Sequence, residues 1–180
     1  MRLIFDIETD GLYHSLSTIH CVAIYDIDSD QTLVYNDQGT GCPGCVAGGR
    51  SIANGISLLD SADVIIGHNI IYYDIPVIQK FFPWFNPAGR AMDTLLLSRL
   101  TYPDLKERDF AQRTQGMPAG LYGRHSLEAW GHRLNEKKDD FGKTTDWSSW
   151  SPEMEKYMVQ DVTVTTKLWF NFHKTYPGLP

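Results

Sequence analysis

Apolar and polar positions set up a strand at the very start of the chain. Leu3-Ile4-Phe5 runs into the alternating Asp6-Ile7-Glu8, and Asp10-Gly11 follows as a turn. This pattern predicts a strand that begins in the core and leaves it. Two further strands are expected at residues 19–25 and 32–35, joined through the acidic turn 26–30, which together make a meander. Residues 37–50 hold five glycines and one proline and read as a loop. Helical spacing returns at 52–59. The short apolar run 62–67 suits a buried central strand, and 75–82 suits a helix with Pro76 in its first turn.

The second half is more helical. Residues 94–100 read as a helix, with Asp93 placed to cap it. Residues 101–125 mix Pro, Gly and many charges, and a largely irregular excursion is expected there. Ser126 is a candidate N-cap for a helix over 127–134, and 139–151 reads as a loop. Pro152 opens the last helix, which runs to about Thr166 or beyond with an apolar stripe of Met154, Tyr157, Met158 and Val162. These elements describe one α/β domain over residues 1–180, a mixed sheet flanked by helices, and its 180 residues are enough to bury a real core. No apolar run is long enough to span a membrane, and the acids at Asp6, Glu8 and Asp10 interrupt any signal-peptide core. A cytoplasmic location is expected.

Charge changes the picture only locally. The chain carries 16 Lys and Arg against 22 Asp and Glu, a formal net charge of −6. Residues 99–138 run against that trend, with eight basic and five acidic side chains. Arg99, Lys106, Arg108, Arg113, Arg124, Arg133, Lys137 and Lys138 are the candidate contacts for a polyanion, although on charge alone a solvated loop and helix face is the preferred account. An acidic chain lacks the broad basic footprint of a tight nucleic-acid binder, so such an activity has to rest on a local site or on metal ions. Cys42-Pro43-Gly44-Cys45 is a lone CxxC with no further pair to complete a zinc site, and it reads as two incidental loop thiols beside Cys21.

The chemistry lies in the acids. Asp6 and Glu8 are two apart on a strand and share a face, where they repel each other unless a cation sits between them. Oxygen donors of this kind select Mg²⁺ or Mn²⁺. Asp74 follows the apolar strand in Gly67-His68-Asn69-Ile70-Ile71-Tyr72-Tyr73-Asp74, where Asn69 is placed to cap a helix or to meet a ligand. Tyr157 and Asp161 are four apart and share a helix face. His68, His125 and His132 invite a metal or base reading, and His125 and His132 are spaced to share a face. No third ligand has matching spacing, so all three are taken as structural or as phosphate contacts.

Asp6-x-Glu8, Asn69-x-x-x-Tyr73-Asp74 and Tyr157-x-x-x-Asp161, in this order, resemble the three motifs of the DEDD exonucleases, in their tyrosine-bearing branch. The stretches GHNIIYYDIP, MDTLLLSRL, HSLEAWGHRL and KYMVQDVTVTTKL are similar to the proofreading domains of T7-type phage DNA polymerases. The likeness covers most of the chain, without the polymerase domain. The resemblance implies a ribonuclease-H-like mixed α/β fold and a metal-dependent 3′→5′ exonuclease that releases nucleoside 5′-monophosphates from single-stranded or frayed DNA. It also implies two divalent ions, Mg²⁺ or Mn²⁺. Asp6, Glu8 and Asp161 hold one, Asp6 and Asp74 hold the other, and Tyr157 orients the attacking water.

Leu12, Tyr13 and His14 are candidates to wedge the strand end apart, and Asn69 and Tyr73 to contact substrate. Trp84, Trp130, Trp147, Trp150 and Trp169 are expected to anchor the core or loops. RNA-trimming enzymes share these motifs, so RNA is the alternative substrate. A second alternative is a subunit that docks on a DNA polymerase and proofreads in trans.

Overall fold

The computed structural model describes residues 1–38, 51–87, 89–113, 116–136 and 146–180. Strands β1 (Arg2–Thr9), β2 (Ile19–Asp26) and β3 (Gln31–Tyr35) form the expected meander. β4 (Val64–Gly67) and β5 (Arg90–Asp93) complete a mixed sheet of order β3-β2-β1-β4-β5. β1 is its centre, antiparallel to β2 and parallel to β4. The described helices are α1 (Ile52–Asp60), α2 (Asp74–Phe81), α3 (Thr94–Thr101), α4 (Leu105–Gln112), α5 (Leu127–Arg133) and α6 (Pro152–Thr175). None is long and apolar enough to cross a membrane.

Period two in β1 sorts its side chains between two cores. Leu3, Phe5 and Ile7 face one way and pack with Ile56 and Leu59 of α1 and Val77 and Ile78 of α2. Ile4 faces the other way, with Ile66 of β4 and Met154, Met158 and Val162 of α6. Asp6 and Glu8 continue that second face beyond Ile4. A third cluster joins Leu105 of α4 and Leu127 and Trp130 of α5 to Val164, Leu168 and Phe172 of α6.

Local signals explain the helix starts. The Ser51, Ser126 and Ser151 side chains accept from backbone N–H groups three residues on, in α1, α5 and α6. Pro152 occupies the first turn of α6, as its fixed φ favours. Asp93 caps α3 by accepting from the N–H groups of Leu95 and Leu96.

Three expectations need correction. Residues 101–125 are not largely irregular: they hold α4 and a 3₁₀ turn at Ala119–Leu121. The polar face of α4 hides it from a hydrophobic pattern, because its inward residues are Leu105 and Asp109 and the latter is satisfied by a buried ion pair. β5 is a strand that periodicity did not reveal, being four residues long with charges at both ends. His125 precedes α5 while His132 lies within it, so the two do not share a helical face. The Cys42–Cys45 motif and most of the 37–50 loop lie outside the described residues, as do residues 139–145 of the later loop.

Candidate active site

β4 pairs with β1 only from Arg2 to Ile4. Beyond Ile4, β1 runs past the end of its neighbour, and there its polar residues line a cleft of about 740 Å³. Asp6 and Glu8 meet Asp161 of α6, and one carboxylate oxygen from each lies within 4.8 Å of the others. Asp161 is buried. Three hard oxygen donors at this spacing fit a divalent cation, because their mutual repulsion makes the arrangement costly without a positive charge between them.

Asp74 lines the same cleft from the first turn of α2 and is 4% exposed. Its carboxylate accepts from its own N–H and from that of Ile7 on β1. Burial pushes its acid up to about 7. The two backbone donors oppose that rise, and the neighbouring Asp93 and Asp161 add to it. The backbone just before it is tightly built. β4 ends at Gly67, where a Cβ would lie 2.2 Å from Ile70 Cγ2, and Asn69 takes a left-handed φ of 68°. The Asn69 carbonyl accepts from the N–H groups of Tyr72 and Tyr73. Asn69 therefore does not cap α2, whose N-cap is Tyr73. It shapes the turn into the helix and lines the cleft.

The Tyr73 hydroxyl donates to the Gly11 carbonyl at 2.7 Å and pairs with Thr9 Oγ1 at 2.7 Å, joining this turn to the end of β1. Burial raises its phenol above the ordinary range. Leu12 is 77% exposed and, with Tyr73, lines a smaller pocket of about 350 Å³ beside the cleft. Tyr13 is not among the lining residues of either cavity, and its carbonyl accepts from Lys80 Nζ at 3.2 Å. Tyr157 is half-buried and lines the cleft rather than the core stripe formed by Met154, Met158 and Val162.

The lining also holds basic residues. Arg99 of α3 and Arg124 and His125 before α5 belong to it, so two members of the 99–138 charge excess reach the site. Arg133 does not: its guanidinium is paired with the buried Asp109 at 2.7 Å and donates to the Arg124 carbonyl at 2.8 Å. Burial alone would raise the Asp109 carboxyl, but Arg133 and the Gly123 N–H outweigh it and hold it below the usual range. Trp130 Nε1 donates to Ser98 Oγ at 2.9 Å, and Ser98 Oγ pairs with His125 Nδ1 at 2.6 Å. Burial, with Arg133 and Arg99 nearby, lowers the His125 pKa and favours a neutral ring. His68 Nδ1 pairs with Thr94 Oγ1 at 2.9 Å at the base of the cleft.

Trp147 packs against the core beneath α6, as an anchor does, and in addition lines both cavities. Trp130 and Trp169 are buried, and Trp150 donates to Glu155 Oε1 at 3.0 Å, as anchors do. Glu128 also lines the cleft and carried no sequence signal beyond its place in the first turn of α5.

Comparison with known proteins agrees with this geometry. A family model described as RNase_H_2, of the RNase_H superfamily, matches residues 3–106. The chain is 32% identical to the DNA-directed DNA polymerase of Escherichia phage T7 over 188 residues, covering 92% of this chain and 26% of that protein. It thus spans about a quarter of that relative's length. Among solved structures, Brucella melitensis NrnC bound to pGG superposes with a TM-score of 0.62 at 19% identity, over 96% of this chain and 72% of that one. The E. coli ExoI–ssDNA complex superposes with a TM-score of 0.56 at 19% identity, over 98% and 41% of the two chains. The chain belongs to the RNase H superfamily, and its motif order and fold are those of the DEDD exonucleases within it.

Proposed function

We propose that the chain is a metal-dependent 3′→5′ exonuclease that removes nucleoside 5′-monophosphates from the 3′ end of single-stranded or frayed DNA. The observation that carries this reading is the convergence of Asp6, Glu8 and Asp161 within 4.8 Å, in a cleft that Asp74 and Tyr157 also line. Asp6, Glu8 and Asp161 would hold one divalent ion, Mg²⁺ or Mn²⁺, and Asp6 with Asp74 a second. Such ions supply a nucleophilic water and neutralise the phosphate and the departing 3′ oxygen.

The protein's own groups do the positioning. Tyr157 orients the attacking water through its hydroxyl, whose ordinary pKa of about 10 suits a hydrogen-bonding role better than a base. Arg99 and Arg124 line the same cleft as the acids and bind backbone phosphates there. Asn69 and Tyr73 border the scissile nucleotide, and Leu12 separates the terminal bases. The likeness to a phage DNA polymerase supports DNA over RNA as substrate.

The test is digestion of matched 5′-labelled DNA and RNA strands with Mg²⁺, Mn²⁺ or EDTA, using wild type and Asp6→Ala. The expected result is a metal-dependent ladder that shortens from the 3′ end, is faster on DNA and is absent in the variant. Digestion only after a DNA polymerase is added would instead indicate a proofreading subunit acting in trans. No digestion under any of these conditions would overturn the reading.

A further inference from the structure

We propose that Trp147 is a positioning residue for Tyr157. This rests on the exonuclease reading and extends it to a residue outside the three motifs. The rings of Trp147 and Tyr157 meet edge to face, with centroids 6.1 Å apart and planes at 75°. This is a favourable aromatic geometry, and it limits how the Tyr157 ring can turn. Trp147 also lines both cavities, a place it shares with Glu8 and Tyr73. It therefore stands where the acid-lined cleft opens into the pocket beside Leu12, with the ring of Tyr157 against it.

The segment that carries Trp147 is pinned rather than loosely draped. Its carbonyl is paired with Nε2 of the buried His20 on β2 at 2.9 Å. Three residues on, Trp150 Nε1 donates to the buried Glu155 of α6, which also accepts from Asn36 beyond β3. Ser151 then caps α6. Trp147 is thus referenced to the sheet on one side and to α6 on the other. Tyr157 lies one turn before Asp161 on that same helix. A contact between two well-anchored backbones transmits position, so the Tyr157 hydroxyl is aimed from outside its own helix.

A double-mutant cycle tests this. Wild type, Trp147→Ala, Tyr157→Phe and the double variant are assayed for kcat and KM on 5′-labelled single-stranded DNA with Mg²⁺, alongside Trp147→Phe. Trp147→Ala is expected to lower kcat by about tenfold, the scale of one aromatic pair, with little change in KM. The same change in the Tyr157→Phe background should cost less than about twofold, because the hydroxyl through which Trp147 acts is gone. Trp147→Phe, which keeps a ring, should recover most of the rate and carries the comparison if the alanine variant does not fold. Equal losses in both backgrounds, a loss confined to KM, or full activity of Tyr157→Phe would overturn the proposal. Failure of wild type to digest any strand would remove the exonuclease reading beneath it, which is a different result from digestion with additive losses.

Discussion

Asp93 Oδ1 accepts the backbone N–H of Asn69 at 3.0 Å, so the residue that caps α3 also grips the turn leading to Asp74. The same oxygen accepts from Leu95 at 2.9 Å, and Oδ2 accepts from Ile71 at 3.2 Å. One buried carboxylate thereby fixes two segments at once. Asp93→Asn separates these jobs, because asparagine still caps helices but turns an N–H₂ toward one of its former donors. The expected outcome is a small loss of thermal stability with a fall of about tenfold or more in kcat/KM or in Mg²⁺ affinity, the scale typical of groups that orient metal ligands. Thermal melts and Mg²⁺ titrations of activity check it.

Asp74 gives the metal-free protein a pH dependence of definite sign. Its folded pKa is raised to about 7 by burial, above the value of about 3.9 expected when unfolded. Stability from this group is therefore fully present below the unfolded value and is lost as pH rises through the folded one. The Tm in EDTA should fall between about pH 4 and 7 and level off above, by about 2–4 °C for each kcal/mol of ionisation cost. Asp74→Asn should flatten that slope. Saturating Mg²⁺ should also flatten it, with a proton released on binding that calorimetry in two buffers would count.

Gly67→Ala tests the close approach at the end of β4. The added Cβ would meet Ile70 Cγ2 at 2.2 Å and the Phe5 carbonyl oxygen at 2.9 Å, and the latter belongs to the central strand and cannot swing aside. A loss of about 1–3 kcal/mol is expected from overpacking, read as a lower urea midpoint at unchanged slope.

Two ion pairs should differ sharply in what their loss costs. Asp109→Ala strands the guanidinium of Arg133, which is 9% exposed, and should cost about 3–5 kcal/mol. Asp104→Ala breaks a pair with Arg108 in which both partners are about half exposed and screened by solvent, and should leave stability almost unchanged. Chemical denaturation of the two variants side by side makes the comparison. Because Arg133 also holds the Arg124 carbonyl, Asp109→Ala should additionally weaken DNA binding at the cleft.

The parts of this molecule legible in its sequence are those whose determinants are local. β1 announces itself through period two, and the same alternation puts Asp6 and Glu8 on one face. Ser126, Ser151 and Pro152 mark helix starts that need no tertiary help. Asp161 follows Tyr157 by one helical turn, so these two could be placed together without coordinates. α4 was hidden because what stabilises its inner face is an ion pair with a residue 24 positions away, which no window of hydrophobicity registers. β5 is too short for alternation to show. Trp147 looked like any loop tryptophan, since its place at the cleft depends on His20, 127 residues earlier, taking hold of its carbonyl. Arg99 and Arg124 stood in a visible basic segment, but only the fold separates them from Arg133, which is spent on an internal pair.

α6 contributes Met154, Met158 and Val162 to the core beneath the sheet and Val164, Leu168 and Phe172 to the cluster under α4 and α5. Asp161 sits beside Val162, the last of the first set and just before the second begins, on a 24-residue helix about 36 Å long. The acidic trio draws Asp6 and Glu8 from the first strand and Asp161 from the last helix, so neither half of the chain can assemble it alone. A defect planted under α4, outside the acidic trio, should be felt as a drift of one ligand relative to the two on the central strand.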